Sequence, residues 1–413
     1  MILNYLKISI RNLSRFKTFS IINVSGLSIG LACTILILLW VRDEMSFDKF
    51  HENMDNIYHV YLRVYDESKN INTQSSTSFQ IASSIKDKIP EIKETIRMGA
   101  LGEIVVRHEN EMFNETNGMA ADPSIFEIFT FPVVEGSVSD ALQQPKDIII
   151  TQSFSKKYFN DMNPIGKEII INSQYNFMVQ AVIEDIPNNS HRNFEFLVPF
   201  KFLENVGHNL AYDGNLFSAC RYHTYLLVND DADFKNLNES IKENFNFNQE
   251  KVSGEYFIIP LAETYRYNLF GGDIILYVLI SVATLILIIA CFNYSNLSLA
   301  MSSIRNKEVG IRKVFGASRK QLISQHFGET VVYVIIAINF AILTVNFTLS
   351  EFNLLTGKNL EIQLINFDFL FLIFLILILT TLVAGGYPAI FLSKFNPGKI
   401  LQGKNFNSGS KRV

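Results

Sequence analysis

Only three cysteines occur among the 413 residues, and they are scattered. Cys33 and Cys291 stand in apolar stretches and Cys220 in the polar part between them, which leaves no disulfide there and no thiolate metal cluster. Seven histidines are present. None opens an H-E-x-x-H motif, and His51 and His59 are too far apart for that arrangement. Both read as surface or packing residues, and His191-Arg192, just after a turn, as loop residues. No G-x-S-x-G elbow, C-x-x-C pair, Rossmann glycine pattern or Walker A loop appears. These absences argue against a self-contained enzyme, so no metal and no directly bound cofactor are expected, and no nucleic-acid partner. Asn-x-Ser/Thr triplets such as Asn114-Glu115-Thr116 are no more than an Asn-rich chain gives by chance.

Charge is also missing, but only in places. No Asp, Glu, Lys or Arg falls within residues 18–41, 274–304, 330–350 or 369–393. Each stretch holds at least the roughly 20 mainly apolar residues needed to cross a hydrocarbon core about 30 Å thick. They account for a hydrophobic content of 48% and a mean hydropathy of +0.18. The first is longer than the apolar region of a signal peptide and runs into Trp40-Val41-Arg42-Asp43-Glu44 with no small-residue cleavage pattern. A retained membrane anchor is the reading that follows.

The formal net charge of -4 conceals how the charges are sorted. Lys7, Arg11, Arg15 and Lys17 precede the first stretch with no acidic residue among them. Arg305, Lys307, Arg312, Lys313, Arg319 and Lys320 follow the second against Glu308 and Glu329. Glu351, Lys358, Glu361 and Asp368 lie between the third and fourth, and the tail carries Lys394, Lys399, Lys404, Lys411 and Arg412. Basic residues are retained in the cytoplasm, so both termini are expected inside and the long polar insertion outside. The expected architecture is a membrane α-helical protein with four transmembrane helices and a mixed α+β periplasmic domain between helices 1 and 2. The boundaries are a cytoplasmic surface helix over 1–18, spans at 19–41, 273–298, 329–350 and 368–391, and the periplasmic domain over 42–272. A cytoplasmic segment over 299–328, an external loop over 351–367 and a tail over 392–413 complete the chain. In the first segment Leu3, Leu6, Ile10 and Leu13 form one stripe and Lys7, Arg11 and Arg15 another, a pattern suited to lying on membrane lipid.

Within the insertion, strands are predicted at 57–65, 103–107, 147–151, 168–172, 177–184 and 223–228, and helices at 78–89 and 231–245. Asp231 and Asp233 suit the positive start of the second helix. About 230 residues could hold one core or two lobes.

Five asparagines, Asn23, Asn293, Asn296, Asn339 and Asn346, stand in the apolar stretches and are expected to point at a neighbouring helix, where their amides can be paired. Gly26 and Gly30 make a small-xxx-small face in the first stretch. Asn23, Gly26, Gly30 and Asn293 are accordingly the expected helix-packing residues. After the second span, residues 305–318 place Glu308 four residues before Arg312, with Gly310 and Gly316 permitting close approach. This short basic segment reads equally well as a dock for a partner or as a positive-inside anchor.

Taken together, several stretches resemble the FtsX-like and MacB-like permease subunits of ABC transporters. They are Ile22–Gly30, Glu44–His51, Asp55–Tyr58, Glu308–Ser318, and Gly386–Ala389 with Leu392, Ser393 and Pro397 beyond. The resemblance covers essentially the whole chain. It implies a cytoplasmic ABC ATPase dimer as partner, with ATP bound there and not here. Glu308, Gly310, Arg312, Lys313, Gly316 and Ala317 would form the coupling element, and ATP hydrolysis would do mechanical work across the inner membrane of a bacterium. It further implies a second copy or a related permease, and a periplasmic adaptor, lipoprotein or peptide outside. A non-transporting sensor or scaffold that signals between an ATPase and an envelope protein is the other function compatible with these features.

Overall fold

The computed structural model describes residues 11, 15–65, 71–109, 111–205, 220–249, 252–268, 272–314, 318–362 and 366–393. The chain forms two compact units, Met1–Asp43 with Asp273–Val413, and Glu44–Gly272. The surface helix expected over 1–18 lies almost wholly outside the described residues.

Among the described residues the first unit contains four helices, α1 (Lys17–Glu44), α2 (Asp273–Val314), α3 (Arg319–Thr356) and α4 (Phe367–Ser393). Each is long and apolar enough to cross a membrane. A helix is the solution hydrocarbon demands, because it satisfies every backbone N–H and C=O within one segment. The helices run beyond the spans drawn from charge alone. α2 continues without a break to Val314, so the segment 299–328 is not a separate short helix but is shared between the end of α2 and the start of α3. That start is fixed by a capping box: the Ser318 hydroxyl accepts from the Gln321 N–H, and the Gln321 side chain accepts from the Ser318 N–H. Two otherwise orphaned donors are satisfied at once. α3 ends at Gly357, whose φ of +66° closes the last turn in the left-handed region that glycine enters without strain.

Leu27, Leu31, Ile35 and Leu39 recur every four residues on α1 and bury one stripe of it. They share a core with Ala290 and Tyr294 of α2, Val334, Ala337 and Ala341 of α3, and Ile376 and Ala384 of α4. The other faces expose Ile289, Phe292, Phe347, Phe374 and similar side chains, as lipid contact allows.

The second unit is built on one mixed sheet. Its strands are β1 (Ile57–Tyr65), β2 (Ile71–Gln74), β3 (Thr77–Ser78), β4 (Ile92–Ala100) and β5 (Ile104–His108). β6 (Glu111–Glu115), β7 (Gly118–Ala121), β8 (Val133–Gly136), β9 (Asp147–Thr151) and β10 (Glu168–Ile171) follow. β11 (Tyr175–Ile183), β12 (Phe196–Pro199), β13 (Cys220–Val228), β14 (Asn246–Gln249) and β15 (Val252–Pro260) complete the set. The order is β14-β15-β1-β13-β4-β7-β12-β9-β11-β10-β5-β6, with β2 on β1, β3 on β13 and β8 on β11. Among the described strands only the β7/β12 and β9/β11 pairs are parallel.

Two helices, Ile81–Lys88 and Phe234–Asn244, cover one lobe of this sheet. Their Ile81, Ile85, Leu237 and Ile241 pack on Val60, Leu62 and Val64 of β1. Asp233 caps the second helix by accepting from the Lys235 N–H. Helix Gln152–Phe159, capped by Thr151, buries Phe154, Tyr158 and Phe159 in the other lobe against Ile148, Ile150 and Phe196. A third core, with Ile57, Ile96, Met98, Tyr225 and Leu227, joins them. The two lobes are thus two ends of a single sheet.

β1 alternates with period two. Val60, Leu62 and Val64 face the helices, while Ile57, His59 and Tyr61 face the opposite side. That second face organises the region described next.

Candidate functional site

On the cytoplasmic side, Glu308, Gly310, Arg312 and Lys313 lie on the last turns of α2, while Gly316 and Ala317 fall outside the described residues. By the rise of an α-helix, the part of α2 beyond Met301 adds about 20 Å to the membrane span. The structure thus puts the first four residues on one rigid rod with the span.

Of the helix-packing residues, Gly26 and Gly30 mark where α1 approaches α2. A Cβ on Gly30 would stand 2.5 Å from the Ala290 Cβ, and one on Gly26 would stand 3.1 Å from Asn293 Nδ2. Asn23 is buried, and its Oδ1 has no partner within hydrogen-bond reach. Asn293, Asn296, Asn339 and Asn346 are exposed on the unit's surface, Asn293 with its Nδ2 beside Gly26 of α1. The Asn339 Nδ2 instead donates to the Ile335 carbonyl one turn back, at 2.8 Å. Contacts between the helices use hydroxyls: the Ser20 and Tyr333 hydroxyls meet at 3.0 Å and the Ser295 Oγ donates to the Ala384 carbonyl at 2.8 Å.

The most concentrated group of ionisable side chains in the periplasmic unit is one that sequence reading passed over. The segment after α1 turns at Asp48, which is fully buried with φ +60°. The Asp48 N–H donates to the Asn189 carbonyl at 2.8 Å, and the His191 N–H donates to Asp48 Oδ1 at 3.1 Å. The Asn189 Nδ2 reaches both the Ser46 carbonyl and its hydroxyl at 3.0 Å. His191 Nδ1 stands 2.8 Å from Asp48 Oδ2, and its Nε2 lies 2.7 Å from the Tyr225 hydroxyl. Arg192 Nε donates to that same hydroxyl at 2.7 Å.

The Tyr225 ring stacks on His59, with centroids 4.3 Å apart; the two residues oppose each other in the β1/β13 register as His59 and Tyr225. His223 lies 5.4 Å from His59, and its Nδ1 donates to the Ser75 carbonyl at 3.0 Å. Neither ring nitrogen of His59 meets a hydrogen-bond partner. His51 accepts the Thr130 N–H at Nδ1, at 3.1 Å, inside a collar of Phe50, Phe129 and Phe131.

Burial holds these imidazoles neutral. It lowers His51 to about 4 against the opposing pull of Asp48. It lowers His223 to about 3, with Arg192 adding to the effect. It takes His59 well below the usual range, helped by His223, Arg192 and His191, and lowers His191 although Asp48 opposes. Tyr225 is pushed up to about 12 by the same burial. Among the described residues no group of His, Cys, Asp and Glu is arranged to hold a metal ion.

Four apolar helices with a large α+β domain inserted after the first define a multi-pass membrane protein of the permease type. Residues 20–244 match the MacB-like periplasmic core domain and residues 280–397 match the FtsX-like permease C-terminal region. The chain belongs to the MacB/FtsX-like family of ABC-transporter permeases. It is the permease component of such a transporter, linked to a partner ATPase and not itself the ATPase, and it sits in the inner membrane with a periplasmic domain.

Among its relatives, the ABC transporter permease YknZ of Bacillus subtilis is 22% identical over 343 residues, 81% of this chain and 83% of that one. The macrolide export ATP-binding/permease protein MacB of Bdellovibrio bacteriovorus is 22% identical over 409 residues, 95% of this chain but only 60% of the relative. A permease-protein domain from Porphyromonas gingivalis is 20% identical over 51% of this chain and 91% of its own, with a TM-score of 0.44.

Proposed function

We propose that a cytoplasmic ABC ATPase dimer docks on Glu308, Gly310, Arg312, Lys313, Gly316 and Ala317, and that its ATP-driven closure performs conformational work on a periplasmic cargo or partner. The observation that carries this reading is the continuity of α2 from Asp273 to Val314. A displacement imposed at Glu308–Lys313 has no loop in which to dissipate before it reaches the membrane-spanning turns. Gly30 and Ala290 then bring α1 and α2 close enough for one to move with the other. Both chain ends lie in the cytoplasm on this reading, in accord with their basic residues.

A second copy, or a related permease, is the natural cover for the exposed amides. Asn339 and Asn346 are seven residues apart and so share one stripe of α3. Facing hydrocarbon, such amides are unfavourable; facing another bundle, they can be paired. Outside, an adaptor, a lipoprotein or a peptide would receive the motion.

The test is copurification of the full chain with its ATPase. Reversing charge at Glu308, Arg312 and Lys313 together should abolish association while leaving the protein in the membrane. Unchanged association would refute this docking site. ATP-dependent movement of a defined cargo by the reconstituted pair distinguishes export from a signalling scaffold.

A further inference from the structure

We infer that the histidines around Asp48 form an acid-released clasp, which fixes the segment leaving the first membrane helix to the periplasmic domain at neutral pH and frees it when the periplasm acidifies.

The clasp has two sides. On one, residues 187–192 hold Ser46 and Asp48 through five contacts: the Asp48 N–H to the Asn189 carbonyl, the Asn189 amide to both oxygens of Ser46, and the His191 N–H and Ser190 hydroxyl to Asp48 Oδ1. On the other, Thr130 holds His51 and Glu52, its N–H donating to His51 Nδ1 and its hydroxyl accepting the Glu52 N–H at 2.9 Å. The Asn53 amide also donates to the Glu127 carbonyl at 3.1 Å. Eight residues of connecting chain, Ser46–Asn53, are thus tied to the domain at both ends.

Hydrogen-bond chemistry requires a neutral ring at His51: a ring nitrogen that accepts an amide N–H carries no proton, so His51 is neutral while Thr130 is bound. At His191, Nδ1 faces a carboxylate and is the donor. Its Nε2 faces the Tyr225 hydroxyl, whose oxygen already accepts from Arg192 and whose proton is free to go to Nε2. A proton on Nε2 would oblige that hydroxyl to turn its own hydrogen away and accept from His191 and Arg192 together. His223 spends its Nδ1 proton on the Ser75 carbonyl.

The ionisable groups facing one another across this site are Asp48 and His51 on the connecting segment, His59 and Tyr61 on β1, and His223 and Tyr225 on β13. The loop contributes His191 and Arg192, and helix Leu261–Asn268 contributes Tyr265, stacked on Phe47 with centroids 3.5 Å apart. A single carboxylate faces four imidazoles, and the guanidinium of Arg192 is already there.

Opening therefore releases imidazoles that can take up protons at their ordinary value near 6.5. A freed ring that stays neutral while the clasp is closed favours the open form by about tenfold between pH 7.5 and 5.5, which is the share of His51, and His191 adds to it. The role assigned to the clasp rests on the reading that the domain receives motion from the membrane helices. The clasp itself stands without it, and its test does not involve the ATPase.

The experiment is hydrogen exchange on the full chain in lipid nanodiscs at pH 7.5 and 5.5, with each rate normalised to the intrinsic rate at that pH. Protection of the Asp48 and His191 amides should fall at least tenfold, while the β9 amides of Ile148–Ile150 change less than threefold. His51→Gln, which keeps an acceptor for Thr130, should remove about tenfold of the pH effect, and His191→Gln should remove part of what remains. Protection that does not change with pH in the unsubstituted chain overturns the inference. So does an equal loss at β9, or a full pH effect surviving in both variants. The comparison in the unsubstituted chain decides the matter even if a variant does not fold.

Discussion

The two units bury polar atoms in opposite ways. In the membrane bundle, beside Asn23, Glu329 and the interhelical Ser20 and Ser295, they include hydroxyls returned to the carbonyl one turn back on the same helix: Ser28 to Val24, Thr34 to Gly30, and Thr330 to His326. Such side chains cost little to bury and do not titrate. In the periplasmic unit the buried polar groups include Asp48, His51, His108, Glu115 and Asp147, which meet partners from distant segments. The bundle should therefore respond to changes of size and the domain to changes of charge.

Acid tests this difference with the largest effect. In the folded domain His51 and His223 protonate only near 4 and 3, whereas an unfolded histidine protonates near 6.5. Below about pH 6.5 the unfolded chain binds more protons, so stability is full above that value and is lost as pH falls toward 4. Those two residues alone remove about 4 kcal/mol between pH 6.5 and 4.5. Thermal unfolding followed by near-ultraviolet circular dichroism should show the domain transition moving sharply downward with acid, while the helical transition of the bundle holds. Transitions that move together would break the contrast.

Size tests it from the other side. At Gly30 a single methyl meets the Ala290 Cβ at 2.5 Å, and neither backbone can give way without separating α1 from α2. Gly30→Ala should cost about 2 kcal/mol, read as a lower midpoint in detergent that does not vary with pH. Ala290→Gly in the same chain should recover part of it. At Gly26 the neighbour is the mobile end of Asn293, and Gly26→Ala should be nearly silent.

The sequence announces the bundle more fully than the domain, for a physical reason. Absence of charge over twenty residues is a local property, and it located all four helices. β1 and β9 were equally plain, because Ile57–Tyr65 and Asp147–Thr151 are dense in β-branched and aromatic side chains. β7, with the sequence Gly-Met-Ala-Ala, has no such preference. It is a strand because β4 and β12 flank it, and Gly118 leaves room for the Phe196 ring. The proposed coupling stretch was legible as a motif, but not its continuity with α2, because Gly310 reads as a possible break in a helix that in fact runs through it. The clasp was illegible: Asp48, His59, His191 and Tyr225 come from four separated segments, and only the β1/β13 register and the 187–192 loop bring them together.

A smaller effect is expected where the domain holds a charge by packing. Arg97 forks onto Asp122 with two contacts of 2.8 Å, and its guanidinium lies 4.3 and 4.4 Å from the ring centroids of Phe79 and Phe200. Arg97→Lys keeps the charge but loses the fork and the stacking geometry. It should lower the domain midpoint by the equivalent of about 1 kcal/mol, and Arg97→Met by about 2.

The smallest effect lies within the bundle, where charge does occur. Lys358 Nζ meets Asp43 Oδ2 at 2.8 Å, with side-chain exposures of 13% and 24%, and Arg42 meets Asp368 at 3.1 Å with exposures of 39% and 70%. Both pairs tie the end of α1 to chain near α3 and α4, outside the apolar runs. Water screens the second almost completely, so Asp368→Asn should leave the midpoint unchanged. The first is better sheltered, and Lys358→Gln should cost about 0.5 kcal/mol, an amount that shrinks as salt is raised because exposed ends of the pair are screened. A loss much larger than that, insensitive to salt, would mean that the bundle too depends on charge, and the division between the two units would have to be redrawn at its outer end.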